Sequence, residues 1–152
     1  MMVQENVAGP ILCLDLGTKR VGVAISDPTL IAITTVEALR RTSWKQLLRD
    51  LSDLIRRFDA QTLVIGFPLR LDASEGSAAQ EVRKIAGKLA RSLEIPIFLQ
   101  DERLTSVEAE ENLRARGYDR SEIAARVDSE AAAIILRDFI TNGQQWTAIR
   151  CP

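Results

Sequence analysis

Three acidic sites interrupt otherwise apolar stretches of this chain. Asp15 lies inside the run Ile11-Leu12-Cys13-Leu14-Asp15-Leu16, Asp101 and Glu102 close an apolar run at 95–100, and Asp128 opens an apolar segment at 129–140. A carboxylate in a buried strand is costly unless a cation or a set of hydrogen bonds compensates it. Three such sites in one small chain point to a metal centre more readily than to three separate accidents. The chain has no histidine, which removes imidazole triads, histidine metal fingers and imidazole acid–base pairs. Hydrolysis here must run on carboxylates, lysine or a bound metal.

Each site also has a plainer reading. Asp15-Leu16-Gly17-Thr18 sets an acid before a glycine turn, where a phosphate or metal can approach the backbone closely. The same aspartate could simply accept hydrogen bonds from the turn amides. Asp128 suits a helix N-cap, yet helical spacing also aligns it with Ala132 and Ile135, on the face expected to meet the sheet. Asp101-Glu102-Arg103 could be a surface ion pair at a strand end. Adjacent strand residues point to opposite faces, so one acid of that pair lines the site. Our choice is Glu102, and parity leaves Asp101 open.

Positioning these groups requires a sheet. The pattern predicts strands over 11–16 and 21–26, joined by the turn Gly17-Thr18-Lys19-Arg20, and a short third strand within 31–36. Leu47, Leu51, Leu54 and Phe58 recur at helical spacing behind Ser43 and Gln46, a capping box. Residues 62–66 read as a strand buried on both faces, followed by a mobile-looking loop at 67–76. A helix over 77–93, a strand over 95–100 and a helix from Thr105 to the stop at Gly117 come next. A polar link then runs to Val127, and a last helix covers 129–140. This order predicts an α/β fold, a mixed sheet with helices on both faces. It fills a single domain, 1–152, with loose tails at 1–10 and 141–152.

At 46% hydrophobic and 27% charged residues the chain reads as soluble and globular. Its apolar runs fall far short of the ~20 residues that cross a bilayer. The first ten residues include Glu5 and no basic residue, unlike a signal or transit peptide. Cys13 and Cys151 make no disulfide framework, so a cytoplasmic setting is expected. The net charge of -1 weighs mildly against a large polyanionic partner, but its distribution is uneven. Arg40, Arg41, Lys45 and Arg49 form one basic group; Arg83, Lys84, Lys88 and Arg91 form another. The Lys84/Lys88/Arg91 stripe is either a solvated helix face or a nucleic-acid contact.

Four stretches in order, ILCLDLGTKRVGVAISD, VIGFPLRLDASEG, FLQDERLTSVEAE and RVDSEAAAIIL, span about residues 11–140. Together they resemble the YqgF family, RuvC-like Holliday junction resolvases also described as pre-16S rRNA nucleases. The resemblance implies a ribonuclease H-like fold with a five-stranded sheet in the order 3-2-1-4-5. It also implies divalent-metal phosphodiester hydrolysis and a role in maturing the 5′ end of small-subunit ribosomal RNA. The family's acids fall on Asp15, the Asp101-Glu102 pair and Asp128, its glycine turn on Gly17 and its basic turn on Lys19 and Arg20. The implied metal ligands are Asp15, Asp101, Glu102 and Asp128, with Asp15, Glu102 and Asp128 catalytic. Gly17, Thr18, Lys19, Arg20, Arg70 and Arg103 are the expected substrate contacts. The chain departs from the family at Arg70 and Ala73, where an asparagine and a glycine are the pattern.

Carboxylate oxygens suit Mg²⁺ or Mn²⁺. A two-metal site would place ions ~3.5–4 Å apart, with Asp15 bridging and Glu102 and Asp128 flanking. In the implied strand order, the strand ending at Gly66 holds those of Asp15 and Glu102 about 10 Å apart. A metal pair spans that gap better than one ion.

Three other functions compete. The aspartate–glycine hairpin also resembles the first phosphate loop of the actin and sugar-kinase superfamily, but those proteins clamp a nucleotide between two such domains. A non-catalytic RNA-binding or ribosome-assembly factor could keep the fold. A resolvase of branched DNA would cut symmetrically and favour a dimer, and no heptad or apolar patch marks one, so monomer and homodimer stay open. RNA is preferred on the resemblance alone, with ribosomal precursor particles as an expected partner and no membrane association.

Overall fold

Residues 62–67 are buried at every position, as a strand covered on both faces must be. In the computed structural model, which describes residues 7–103 and 105–142, this segment is β4 (Thr62–Phe67). It runs parallel to β1 (Ile11–Leu16) on one side and β5 (Ile97–Asp101) on the other. β2 (Arg20–Ser26) returns antiparallel beside β1, and β3 (Ile33–Arg40) antiparallel beside β2. The resulting order, β3-β2-β1-β4-β5, is the one the family resemblance implies.

Strand alternation divides the interior into two cores. Leu12, Leu14, Val23, Leu63 and Ile65 pack with α1 (Trp44–Phe58) and α2 (Ser77–Ser92). On the opposite face, Ile11, Cys13, Ala24, Val64 and Phe98 pack with α4 (Arg120–Thr141). The helix α3 (Thr105–Ala115) rests on α4 through Ala109 against Ala131 and Ile134. Asp15 shares the parity of Ile11 and Cys13, and therefore faces α4.

The local signals act as physics requires, with corrections. Ser43 caps α1 by accepting from Gln46 N at 3.1 Å, but the Gln46 amide reaches Asp50 instead, so only half the capping box forms. The third strand starts later and runs longer than expected, and β5 starts at Ile97, after Pro96. The larger correction concerns the last helix. No polar link precedes it: α4 is continuous from Arg120, capped by Asp119, whose Oδ1 accepts from Glu122 N at 2.8 Å. Residues 120–126 are mostly exposed; their polarity reports solvent, not a broken helix. Asp128 therefore lies about two turns inside α4 and is no N-cap.

Of the expected loose tails, residues 1–6 and 143–152, with Cys151, lie outside the described residues. Residues 7–10 are not loose. The Ala8 carbonyl accepts from Thr62 Oγ1 at 2.7 Å and that of Pro10 from Gln61 N at 2.8 Å. Among the described residues no helix is long and apolar enough to cross a membrane.

Candidate active site

Asp15 stands between two glycines. Gly22 is its direct partner across β2, and the register Leu14↔Ile65 brings Gly66 alongside on β4. Both leave openings on the face that carries α4, and a different element fills each. A Cβ on Gly22 would fall into the carbonyl group of Asp128 and 2.9 Å from Ser129 N. A Cβ on Gly66 would lie 2.5 Å from Glu102 Oε2 and 2.8 Å from Ile135 Cδ1. The first glycine thus admits the helix that carries Asp128, and the second admits the carboxylate of Glu102. A glycine inside a strand commonly marks such a close approach.

Ser129 fixes the helix at this point. The β2–β3 register shifts between Val21 and Val23, so that β3 uses both Glu37 and Ala38 opposite Gly22, a β-bulge. Val23 N donates to Ser129 Oγ at 3.2 Å, and Ser129 Oγ donates to Val36 O at 2.6 Å. The hydroxyl thus takes the place of a ladder bond between paired residues. It pins α4 to the sheet one residue after Asp128.

Glu102 follows the end of β5, its backbone N donating to Phe67 O at 3.2 Å. Its side chain extends over Gly66 and hydrogen-bonds Asp15. Burial, then the charge of Asp15 and that hydrogen bond, push the Glu102 carboxyl up to about 9. At neutral pH Glu102 consequently keeps its proton and donates a hydrogen bond to Asp15. Burial also raises Asp15; the hydrogen bond from Glu102 opposes this, and the charge of Asp128 adds to it. The Glu102 side chain itself reaches across the wide spacing of the outer strands.

The other expected residues are distributed around this pair. Asp128 Oδ2 meets Arg20 Nε at 3.1 Å. Asp101 does not meet Asp15: its carboxylate accepts from Arg103 N and Nε at 3.0 and 2.8 Å, while Arg103 Nη1 donates to Leu71 O at 3.1 Å. Gly17 N closes the hairpin turn onto Arg20 O at 2.9 Å, and Thr18 and Lys19 are exposed beside it. Arg70 folds back against Gly76. The loop at 67–76 is a set of tight turns: Arg70 N donates to Ser74 O, and Asp72 accepts from Ser74 N and Oγ. Ala73 sits there at φ +69, a left-handed conformation that favours glycine.

Among the described residues no three acidic or thiol side chains stand close enough to hold one ion together. Asp128 is turned to Arg20, and Glu102 keeps its proton. The donor set nonetheless fits a hard divalent cation, since it offers only oxygens and includes a half-buried pair that shares a proton against its own repulsion. Sequence reasoning missed Gly22, whose place in mid-strand was a usable signal. It also missed Ser129 and Arg41, whose Nη1 donates to Gly17 O at 2.9 Å; these depend on contacts far apart in the chain.

Residues 9–142 match the family model described as RuvX: Holliday junction resolvase. The chain is 39% identical over 129 residues to a "Putative pre-16S rRNA nuclease" of Anaeromyxobacter sp. strain Fw109-5, covering 85% of this chain and 94% of the relative. It is 38% identical over 142 residues to a protein of the same name from Trichormus variabilis, covering 91% and 94%. Among solved structures, Thermus thermophilus RuvC in complex with a Holliday junction substrate superposes with a TM-score of 0.57 at 11% identity, covering 91% of this chain and 98% of RuvC. The fowlpox virus Holliday junction resolvase gives 0.52 at 13%, covering 87% and 98%. These two likenesses establish the RuvC-like, ribonuclease H-like fold.

Proposed function

The chain belongs to the RuvX family, and from that premise we propose that it is a metal-dependent nuclease that hydrolyses phosphodiester bonds at the 5′ end of pre-16S ribosomal RNA. The observation that carries this reading is the convergence on Asp15. Glu102 from the end of β5 hydrogen-bonds it, and Asp128 from α4 acts on it through its charge. The choice of RNA rests on relatives at 38–39% identity that bear the rRNA-nuclease name.

Asp15, Glu102 and Asp128 are the groups that would hold Mg²⁺ or Mn²⁺. Bound there, the metal would supply an activated water and stabilise the leaving oxygen. The remaining work belongs to the chain. Glu102 holds a proton against Asp15 and must release it before both carboxylates can act as ligands. Arg20 neutralises Asp128 from the turn that also exposes Thr18 and Lys19, and its half-exposed guanidinium is placed to take a phosphate oxygen. Asp101 holds Arg103, and Arg103 in turn holds Leu71 at the loop. The partner is a nucleic acid, carried by ribosomal precursor particles in the cytoplasm.

A second reading, cleavage of branched DNA, is favoured by the family's own description as a Holliday junction resolvase. One experiment separates them. Labelled precursor rRNA and a four-way DNA junction are incubated with Mg²⁺, Mn²⁺ or EDTA, beside Asp15→Asn and Asp128→Asn. Metal-dependent cutting of the RNA, lost in both variants, is expected. Preference for the junction would move the assignment to DNA, and equal cutting by wild type and variants would remove the site.

A further inference from the structure

Members of the two basic groups of the sequence, Arg41 from 40–49 and Lys84 and Lys88 from 83–91, meet in space. They border a groove of about 560 Å³ between the start of α1 and the outer face of α2. Arg41, Lys84 and Lys88 line it, against one carboxylate, Glu81, which Arg41 already pairs at 3.2 Å. Lys88 lies 5.1 Å over the ring of Trp44, and Lys84 and Lys88 form no ion pair among the described residues. In a chain with a net charge of -1, this groove is a local excess of positive charge.

We propose that this groove binds the phosphodiester backbone of the nucleic-acid strand whose scissile phosphate lies at Asp15. The inference rests on the nuclease reading and extends it to a binding track outside the carboxylate site. Two observations support it. Arg41 is shared between the groove and the active-site turn, because its Nη1 donates to Gly17 O at 2.9 Å, two residues beyond Asp15. Lys84 and Lys88 are one helical step apart, so their cations advance along α2 by roughly 6 Å, close to the spacing of successive phosphates on a strand. A compact anion would occupy one such position; a polyanion can occupy both.

The test is strand binding in EDTA, where no cutting occurs, by fluorescence anisotropy across a salt series. Single-stranded RNA and single-stranded DNA of equal length form separate arms. Lys84→Glu/Lys88→Glu is compared with wild type and with Arg114→Glu/Arg120→Glu, which carries the same charge change on α3 and α4. The groove variant should lose at least tenfold in affinity. Its dependence of log affinity on log salt should become shallower by about 1.4, at ~0.7 per phosphate contact on a single strand. The control should change neither by as much. Loss in both arms assigns the groove to the backbone, and loss in RNA alone would assign it to RNA. Unchanged strand binding in the groove variant, an equal loss in the control, or no strand binding by wild type would overturn the proposal. Metal-dependent cleavage by wild type, measured separately, reports on the nuclease reading whatever the groove does.

Discussion

The carbonyl of Asp128 rests directly on the α-carbon of Gly22, leaving no room between α4 and β2 for a methyl group. The obstructing atoms are backbone, so a side chain at 22 cannot be accommodated by a rotamer change. Gly22→Ala should lift α4, cost about 2–3 kcal/mol as overpacking does, and abolish cleavage by displacing Asp128. Gly87→Ala is the control, since nothing lies within 4 Å of a Cβ there. In mid-helix it should stabilise by about 0.5–1 kcal/mol. Denaturant unfolding of the two variants should therefore shift in opposite directions.

Gly66→Ala should behave differently. The atoms a Cβ would meet, Glu102 Oε2 and Ile135 Cδ1, end flexible side chains. The fold should persist at a cost of about 1 kcal/mol, while Glu102 is pushed away from Asp15. A melting temperature near that of wild type, with metal-dependent cleavage lost, is the expected pair of results. Retained cleavage would show that the approach of Glu102 over Gly66 is not needed.

Ser129→Ala removes the hydroxyl that links Val23 N to Val36 O. Two backbone groups at a buried bulge would lose their partner, so about 2–3 kcal/mol of stability should go. Amide exchange should rise locally at Val23. Cleavage should fall too, because the same hydroxyl sets where Asp128 sits.

The Glu102–Asp15 pair should make stability depend on pH, and on metal if the proposed site binds one. Glu102 rises from an unfolded value of 4.5 to about 9, and Asp15 is also raised. For raised carboxyl groups the folded state binds the proton more tightly, so its contribution is full below the unfolded value and lost as pH climbs toward 9. The metal-free protein should thus melt at progressively lower temperature between about pH 5 and pH 9. Glu102→Gln should flatten that slope and raise the melting temperature at pH 8, with cleavage abolished. Adding Mn²⁺ should reverse the alkaline loss in wild type and not in the variant. A flat profile for the metal-free wild type would contradict the shared proton.

Much of this was legible one residue at a time. Asp15 in an apolar strand and Asp128 in register with Ala132 and Ile135 announced themselves, because an ionised group among buried neighbours violates a local rule. The extent of α4 was not legible, since a polar stretch reads the same in an exposed helix as in a loop. Nor was the choice between Asp101 and Glu102, which depends on how the chain leaves β5 and not on strand parity.

The sequence by itself determined the strand and helix order, the burial of the central strands and the absence of imidazole chemistry. These follow from periodicity and composition, which act locally. Only the tertiary structure decided that Gly22 and Gly66 flank Asp15, that Ser129 fills the bulge between β2 and β3, and that Arg41 shares one groove with the distant Lys84 and Lys88. Each of these depends on the register between strands and the depth at which a helix settles on them, and both are set by the packing of the whole sheet.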